Sequence, residues 1–419
     1  MTSKSTPTMA RPHVAPTGVE ESAVDVAAGQ GGRLVFVDVI RVVAIAWVVA
    51  HHAGQAYSDA AGDWPVTDTA KSDWFAPFFF VNAAFGLGLL FILAGYFTPG
   101  SFDRKGPDRF MKERWWRIGL PMAIVVLAIH LPIGYFAHPD SPSISEYPGV
   151  LFREGLLIPY LHLWFLGHVL LYSLGYVLWR RYRDRDPRAP RVFAPPSHRA
   201  LIAFVVVLAV AMYVVRLWYP VNDWVPLFFV VAAEPAHLPQ YIALFVAGAV
   251  AYRSGWFTSI STQVGMIWLG IGLAASAAFY LLALNVDSLG DYLHRGGATW
   301  QSALYCGWES VICVGMSIGL IVLLRSVVHE AGPLMKAMAA ASYAAYILHW
   351  MIVVGLQAGL EPIDLPALVK FLIVTVLGIA MAFGIGHLSR RIPGLNILLG
   401  TKRKSPAAAH AITRRDTLP

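Results

Sequence analysis

From Leu34 onward, apolar stretches of about twenty residues alternate with short polar connections, a repeat matched to helices that cross a bilayer core. Ten such stretches fall near residues 34–56, 74–98, 116–137, 157–179, 200–218, 238–252, 264–285, 303–324, 341–360 and 367–388, and the sixth is short for a crossing. The pattern predicts an all-α, polytopic membrane protein of about ten transmembrane helices. Composition agrees: 57% of the 419 residues are hydrophobic, 14% are charged and the mean hydropathy is +0.57, which excludes a soluble globule.

The polar connections alternate in sign. Arg104, Lys105, Arg109, Lys112 and Arg114 follow the second stretch, and Arg180, Arg181, Arg183, Arg185, Arg188 and Arg191 follow the fourth. The opposite loops carry Asp59, Asp63, Asp68, Asp73, Asp140, Glu146, Glu154, Asp223, Glu234, Asp287, Asp291, Glu361 and Asp364 against Lys71, Arg153 and Arg295. Basic loops are retained on the cytoplasmic side, so both termini are expected in the cytoplasm. The net charge of +7 then reflects topology and contact with an anionic inner leaflet, and no basic stripe with interleaved aromatics points to nucleic acid. Residues 1–33 lack a basic segment leading directly into an apolar run and read as a disordered cytoplasmic tail, not a cleaved signal peptide. Residues 34–390 form the membrane domain, and 391–419 a second, basic cytoplasmic tail.

Candidate chemistry begins in the first stretch, where Arg41 and His52 lie eleven residues apart. At about 100° per residue they share one helical face, about 16 Å apart along the axis. Ionisable groups at membrane depth are costly and mark function. The alternative for Arg41 is to snorkel to the inner interface and pair with Asp38, one turn away; for His52 it is an interhelical hydrogen bond. His51 and His52 point to different faces, which argues against joint metal ligation. Cys306 and Cys313 are about 10 Å apart along one helix, too far for a disulfide, and read as packing. With no CxxC pair and no HExxH, no metal site is expected.

Arg114 and Arg117 flank Trp115 and Trp116 before Pro121 and, three apart on a helix, share a face at the cytoplasmic mouth. Two guanidiniums so placed suit a phosphate, or serve only as a positive-inside anchor. Taken together, Val37-Asp-Val-Ile-Arg41 with His52, Phe91-Ile-Leu-Ala-Gly-Tyr-Phe97, Arg114-Trp-Trp-Arg117 with Pro121, Phe245-Val-Ala-Gly248 and Ser342-Tyr-Ala-Ala-Tyr-Ile-Leu-His349 resemble the acyltransferase-3 family of integral membrane acyltransferases over roughly residues 34–390. His52-Ala-Gly-Gln-Ala-Tyr57, Ala94-Gly-Tyr-Phe97 and His162-Leu-Trp-Phe-Leu166 look closest to its periplasmic glucan succinyltransferase-like branch. Ala94-Gly95 stands where the family usually has Ser-Gly, and no attached esterase domain follows the tenth stretch.

The resemblance implies transfer of an acyl group, acetyl or succinyl, from cytoplasmic acyl-CoA to a hydroxyl of an extracytoplasmic carbohydrate or glycosylated metabolite at a prokaryotic plasma membrane. It carries function onto Arg41, His52, Arg114 and Arg117, with the arginines on the donor side. His52 would be general base or transient acyl carrier, with no permanently bound cofactor. Beside that reading, Glu309 falls at a depth matching His52 and is the expected partner that fixes its tautomer. His162 and Trp164 lie in the outer third of the fourth stretch, where a sugar can stack on the indole. His349 reads as packing or tunnel lining, and His130, His168 and His387 as structural. A different class stays open: a proton-coupled transporter using Arg41, His52 and Glu309. Acyl-CoA consumption separates the two. Oligomeric state is not legible.

Overall fold

The computed structural model describes residues 34–59, 64–136, 140, 142–153, 161–183, 191–227, 231–286, 295–395 and 399. The segment 1–33, most of 391–419 and the loop residues Asp63, Glu154, Arg185, Arg188, Asp287 and Asp291 lie outside the described residues. The chain divides between Leu34 and Val35, and everything below belongs to the second unit.

Ten helices build it: α1 Val35–Gln55, α2 Phe75–Lys105, α3 Pro107–Phe136, α4 Leu161–Arg183, α5 His198–Arg216, α6 Leu238–Ser254, α7 Thr262–Ala283, α8 Trp300–Val327, α9 Pro333–Leu360 and α10 Ala367–Ser389. Among the described residues nine are long and apolar enough to cross a membrane; α6, at 17 residues, is the exception. A short antiparallel hairpin, β1 Val225–Leu227 with β2 Val231–Ala233, pairs Val225 with Ala233 between α5 and α6. The protein is therefore an all-α polytopic membrane protein. Several helices outrun their apolar stretches, α9 beginning at Pro333 and α3 at Pro107. Hydropathy marks the part of a helix that lipid or core solvates, whereas backbone hydrogen bonding continues past it.

The principal helix pairs are α7 with α8, α2 with α6 and α9 with α10, while α1 packs on α9. Small residues set the closest of these approaches. A Cβ on Gly95 would strike the Phe245 carbonyl, and one on Gly248 the Ile92 carbonyl, so two glycines of the quoted motifs hold α2 against α6 backbone to backbone. Gly106, at φ 73°, takes a left-handed conformation and separates α2 from α3.

Two wide π-helical turns interrupt α3, at Trp115–Gly119 and Val126–His130. Each ends just before a proline, Pro121 and Pro132. A proline ring has no N–H for the carbonyl four residues back and clashes with it, and a widened turn relieves both. Arg117 sits in the first turn and His130 in the second, so both directions follow from proline placement and not from regular helical spacing.

Candidate active site

His52 sits in the last turn of α1, beneath the loop that joins α1 to α2. That loop is fastened by a buried ion pair, Lys370 Nζ lying 2.7 Å from Asp68 Oδ2, and by backbone bonds from Asp68 to Ala56 and from Ser72 to Tyr57. Trp64 is thereby laid on the imidazole of His52, with ring centroids 5.2 Å apart and planes within 10°. From α9, Gln357 accepts a hydrogen bond from Trp64 Nε1 at 2.7 Å and donates to the carbonyls of His52 and Ala53 at 3.1 Å. His52 Nδ1 lies 2.5 Å from Gln55 Oε1, an acceptor-only atom, so Nδ1 carries the proton and Nε2 the lone pair.

The opposite face of His52 meets His349 at 5.2 Å between centroids. His349 in turn lies 4.7 Å from His162, and His162 5.6 Å from His130. Trp350 borders both His130 and His162, and Tyr346 donates to the His162 carbonyl. His162 Nε2 donates to the Ile347 carbonyl at 3.1 Å, and His349 Nδ1 to that of Tyr346 at 2.5 Å. His52, His162 and His349 are each oriented by one nitrogen, while His162 Nδ1 and His349 Nε2 are buried without a hydrogen-bond partner among the described residues. No group of three or more metal-ligating side chains is poised to hold a metal there among the described residues.

His162 thus joins His52, but Trp164, expected to act with it, does not share the cluster. Its indole packs against His168, Trp224 and Tyr241 at 5.3, 5.4 and 5.7 Å. Two residues further along a turn that passes from 3-10 to α geometry, the side chain points elsewhere. His349 and His130, read from sequence as lining and as structural, stand in the histidine row.

Arg41 lies near the other end of α1, with Nη2 3.0 Å from Asp38 Oδ1 and 2.7 Å from the Ala339 carbonyl of α9. The i,i+3 pair with Asp38, the alternative to a functional role for Arg41, is present. Arg114 and Arg117 are engaged differently from each other. Arg114 turns inward, donating to Thr98 Oγ1 at 3.1 Å with its guanidinium 5.1 Å over Phe110. Arg117 lies 3.7 Å from Glu113, which also holds Lys105 at 2.6 Å. The expectation of one α-helical face is corrected by the π-helical turn between them, in which three residues sweep a smaller angle.

Residues 34–387 match the family model of the acyltransferase-3 type, described as an acyltransferase domain. The chain belongs to this acyltransferase family. It is similar to the glucans biosynthesis protein C of Salmonella schwarzengrund (strain CVM19633), 26% identical over 391 residues that cover 88% of this chain and 95% of that one. The glucans biosynthesis protein C of Salmonella agona (strain SL483) is 25% identical with the same coverage. No solved structure matches. Family and helices together make this a multi-pass acyltransferase of the bacterial inner membrane.

One expectation for the acyltransferase is overturned: Glu309 does not reach His52. Its Oε2 lies 2.6 Å from Arg216 Nη2 and its Oε1 2.7 Å from His237 Nε2, while His237 Nδ1 lies 2.7 Å from Glu234. Glu234 also accepts the Asn222 N–H at 2.7 Å, and Arg216 stands 5.1 Å over the Tyr305 ring. Burial opposes a charge on His237, but the carboxylates of Glu234 and Glu309 outweigh it and raise its pKa to about 9. The network joins the ends of α5 and α6 to α8 as a neutral set of two acids and two cations. Depth along α8 was legible from sequence; the side of the helix was not. The partners left a faint signal, since Glu234 and His237 sit three apart before α6 and Arg216 closes α5. Gln357 and Trp64 gave none, because the bonds they make cross from one helix or loop to another, whereas Gln55 stands three residues after His52 on the same helix.

Proposed function

We propose that this acyltransferase moves an acetyl or succinyl group from a cytoplasmic acyl-CoA to a hydroxyl of an extracytoplasmic carbohydrate, as the name of its glucan-biosynthesis relatives suggests. The observation that carries the reading is His52: clamped between Trp64 and His349, protonated on Nδ1 toward Gln55, it presents Nε2 as the free base atom. In the proposed step Nε2 takes the proton of the acceptor hydroxyl as its oxygen attacks the thioester carbonyl. The carbon–sulfur bond breaks, and the departing CoA thiolate receives a proton. The same lone pair would attack the thioester if His52 first carries the acyl group. His162 and His349 line the reaction space, and Trp164 offers a stacking surface further along the acceptor side. Arg114 and Arg117 bind donor phosphates, and Arg41 orients the donor. The basic loops support a topology with both termini in the cytoplasm.

The test is acyl-group release from radiolabelled acetyl-CoA and succinyl-CoA by purified protein in nanodiscs, comparing wild type with His52→Ala and Arg114→Ala. Turnover by the wild type that disappears in His52→Ala, with KM for the donor raised in Arg114→Ala, is the expected result. Neither CoA release nor CoA binding by the wild type would overturn the donor assignment.

A further inference from the structure

Along the outside of α4 and α6 runs a groove of about 1650 Å³, floored by Tyr172, Gly175 and Phe245 and closed on the third side by Trp115 and Met122 of α3. It follows α4 from Gly167 to Arg183, roughly 24 Å at 1.5 Å per residue, most of a hydrocarbon core of about 30 Å. Its walls are apolar over nearly their whole length and change at one end only. There Arg180 and Arg183 at the end of α4, Arg253 at the end of α6, and Arg191 in the segment before α5 line the groove, and no acidic side chain does among the described residues.

The arginine end is built. Arg180 and Arg253 share Asp103 at 2.8 and 2.9 Å and both reach the Tyr176 hydroxyl at 3.1 Å. The chain that brings Arg191 there is pinned beneath α6, the Phe193 N–H donating to Ser254 at 3.1 Å and its carbonyl accepting from Trp256 at 3.0 Å. Glycine makes the space: a Cβ at Gly175 would meet no atom within 4 Å. The groove is concave and amphipathic along its axis.

We propose that the groove binds an anionic phospholipid of the inner leaflet, its phosphate held by Arg180, Arg183, Arg191 and Arg253 and its acyl chains lying between α4 and α6. Planar guanidiniums converge on phosphate oxygens from several directions, and apolar walls replace neighbouring chains around the tails. The lipid sits apart from the histidine row, so its occupancy is separable from acyl transfer.

Native mass spectrometry of the detergent-purified full chain, titrated with dioleoylphosphatidylglycerol, tests this. One lipid per chain is expected, with dioleoylphosphatidylcholine at least about tenfold weaker. At about 1 kcal/mol for each removed charge, Arg183→Gln/Arg191→Gln weakens phosphatidylglycerol binding by about 30-fold. Gly175→Leu, which places a side chain on the groove floor, weakens it as well, with thermal unfolding confirming that the variant is folded. Equal retention of the two lipids, or unchanged binding in the arginine double variant, would overturn the proposal. So would one-for-one displacement of phosphatidylglycerol by acetyl-CoA, which would reassign the arginines to the nucleotide donor.

Discussion

The histidines around His52, carried by α1, α3, α4 and α9, and the ion pairs around Glu309, carried by α5, α8 and the approach to α6, hold their polar groups in different ways. In the Glu309 network both carboxylates meet their cations: Arg216, His237 and Glu234 lie within 2.7 Å of a partner and the charges cancel. In the histidine row His162 and His349 are each oriented through one nitrogen and left with the other bare among the described residues. A charge-balanced network fixes geometry through its ion pairs, although Arg216 Nε and Nη1 within it are also buried without a hydrogen-bond partner among the described residues. The bare ring nitrogens carry a desolvation cost of about 1–3 kcal/mol per orphaned group, which a substrate hydroxyl or carbonyl can relieve. On the proposed function, the first region carries the chemistry and the second the architecture.

The sharpest way to break this contrast is to exchange the consequences. His52→Ala should lower acyl transfer by about 10²–10⁴-fold, the range for a lost general base, with the thermal unfolding midpoint nearly unmoved. A large loss of stability in that variant would place His52 with the architecture. Conversely, Arg216→Met leaves Glu309 buried with one counter-charge fewer and should destabilise the protein by about 3–5 kcal/mol, while activity per folded molecule stays near wild type. Denaturant or thermal titration in detergent, with activity normalised to folded protein, reads both.

A smaller effect is expected at Gln357. Gln357→Leu strands the Trp64 indole N–H and releases the tryptophan from His52, so kcat should fall by about tenfold, equivalent to one lost hydrogen bond of about 1.4 kcal/mol. Stacking of Trp64 can be followed separately by its fluorescence, and an unchanged kcat with altered fluorescence would remove Trp64 from the site. The pH dependence of stability probes the Glu309 network directly. The His237 pKa is raised above its unfolded value of about 6.5. Its contribution is therefore complete below about pH 6.5 and lost as pH rises through about 9. Glu234 is shifted the other way: burial opposes its charge, but His237 outweighs that and lowers its pKa, so its contribution is lost on acidification below about pH 4.3. Unfolding midpoints between pH 6 and 10 should decline in the wild type and decline less in Glu234→Gln. A flat wild-type profile would show that the network does not hold His237 protonated.

Much of the frame was readable in advance. The ten apolar stretches correspond in order to ten helices, down to the shortness of α6, because a bilayer imposes a length on anything that crosses it. The motif glycines Gly95 and Gly248 mark an approach of α2 and α6 that only the assembled helices explain. Where the reading failed, it failed in azimuth. Glu309 was given the wrong neighbour, and Trp164 was grouped with His162 although residues two apart do not share a face of a helical turn. The regular α-helical spacing read for Arg114 and Arg117 is altered by the π-helical turn before Pro121.

By itself, then, the sequence determined class, span order, the charge alternation of the loops and the ionisable residues that could not be idle. Each of these is a property of one segment and its solvent. Tertiary structure alone decided that His349 and not Glu309 faces His52, that Gln357 ties Trp64 above it, and that Arg216 and His237 consume the charge of Glu309. Hydropathy reports how deep a residue lies, but a helix can rotate about its axis at little cost in hydropathy. The rotation is set by packing against neighbours such as Gly95 against Phe245, and those contacts exist only when all the helices are assembled.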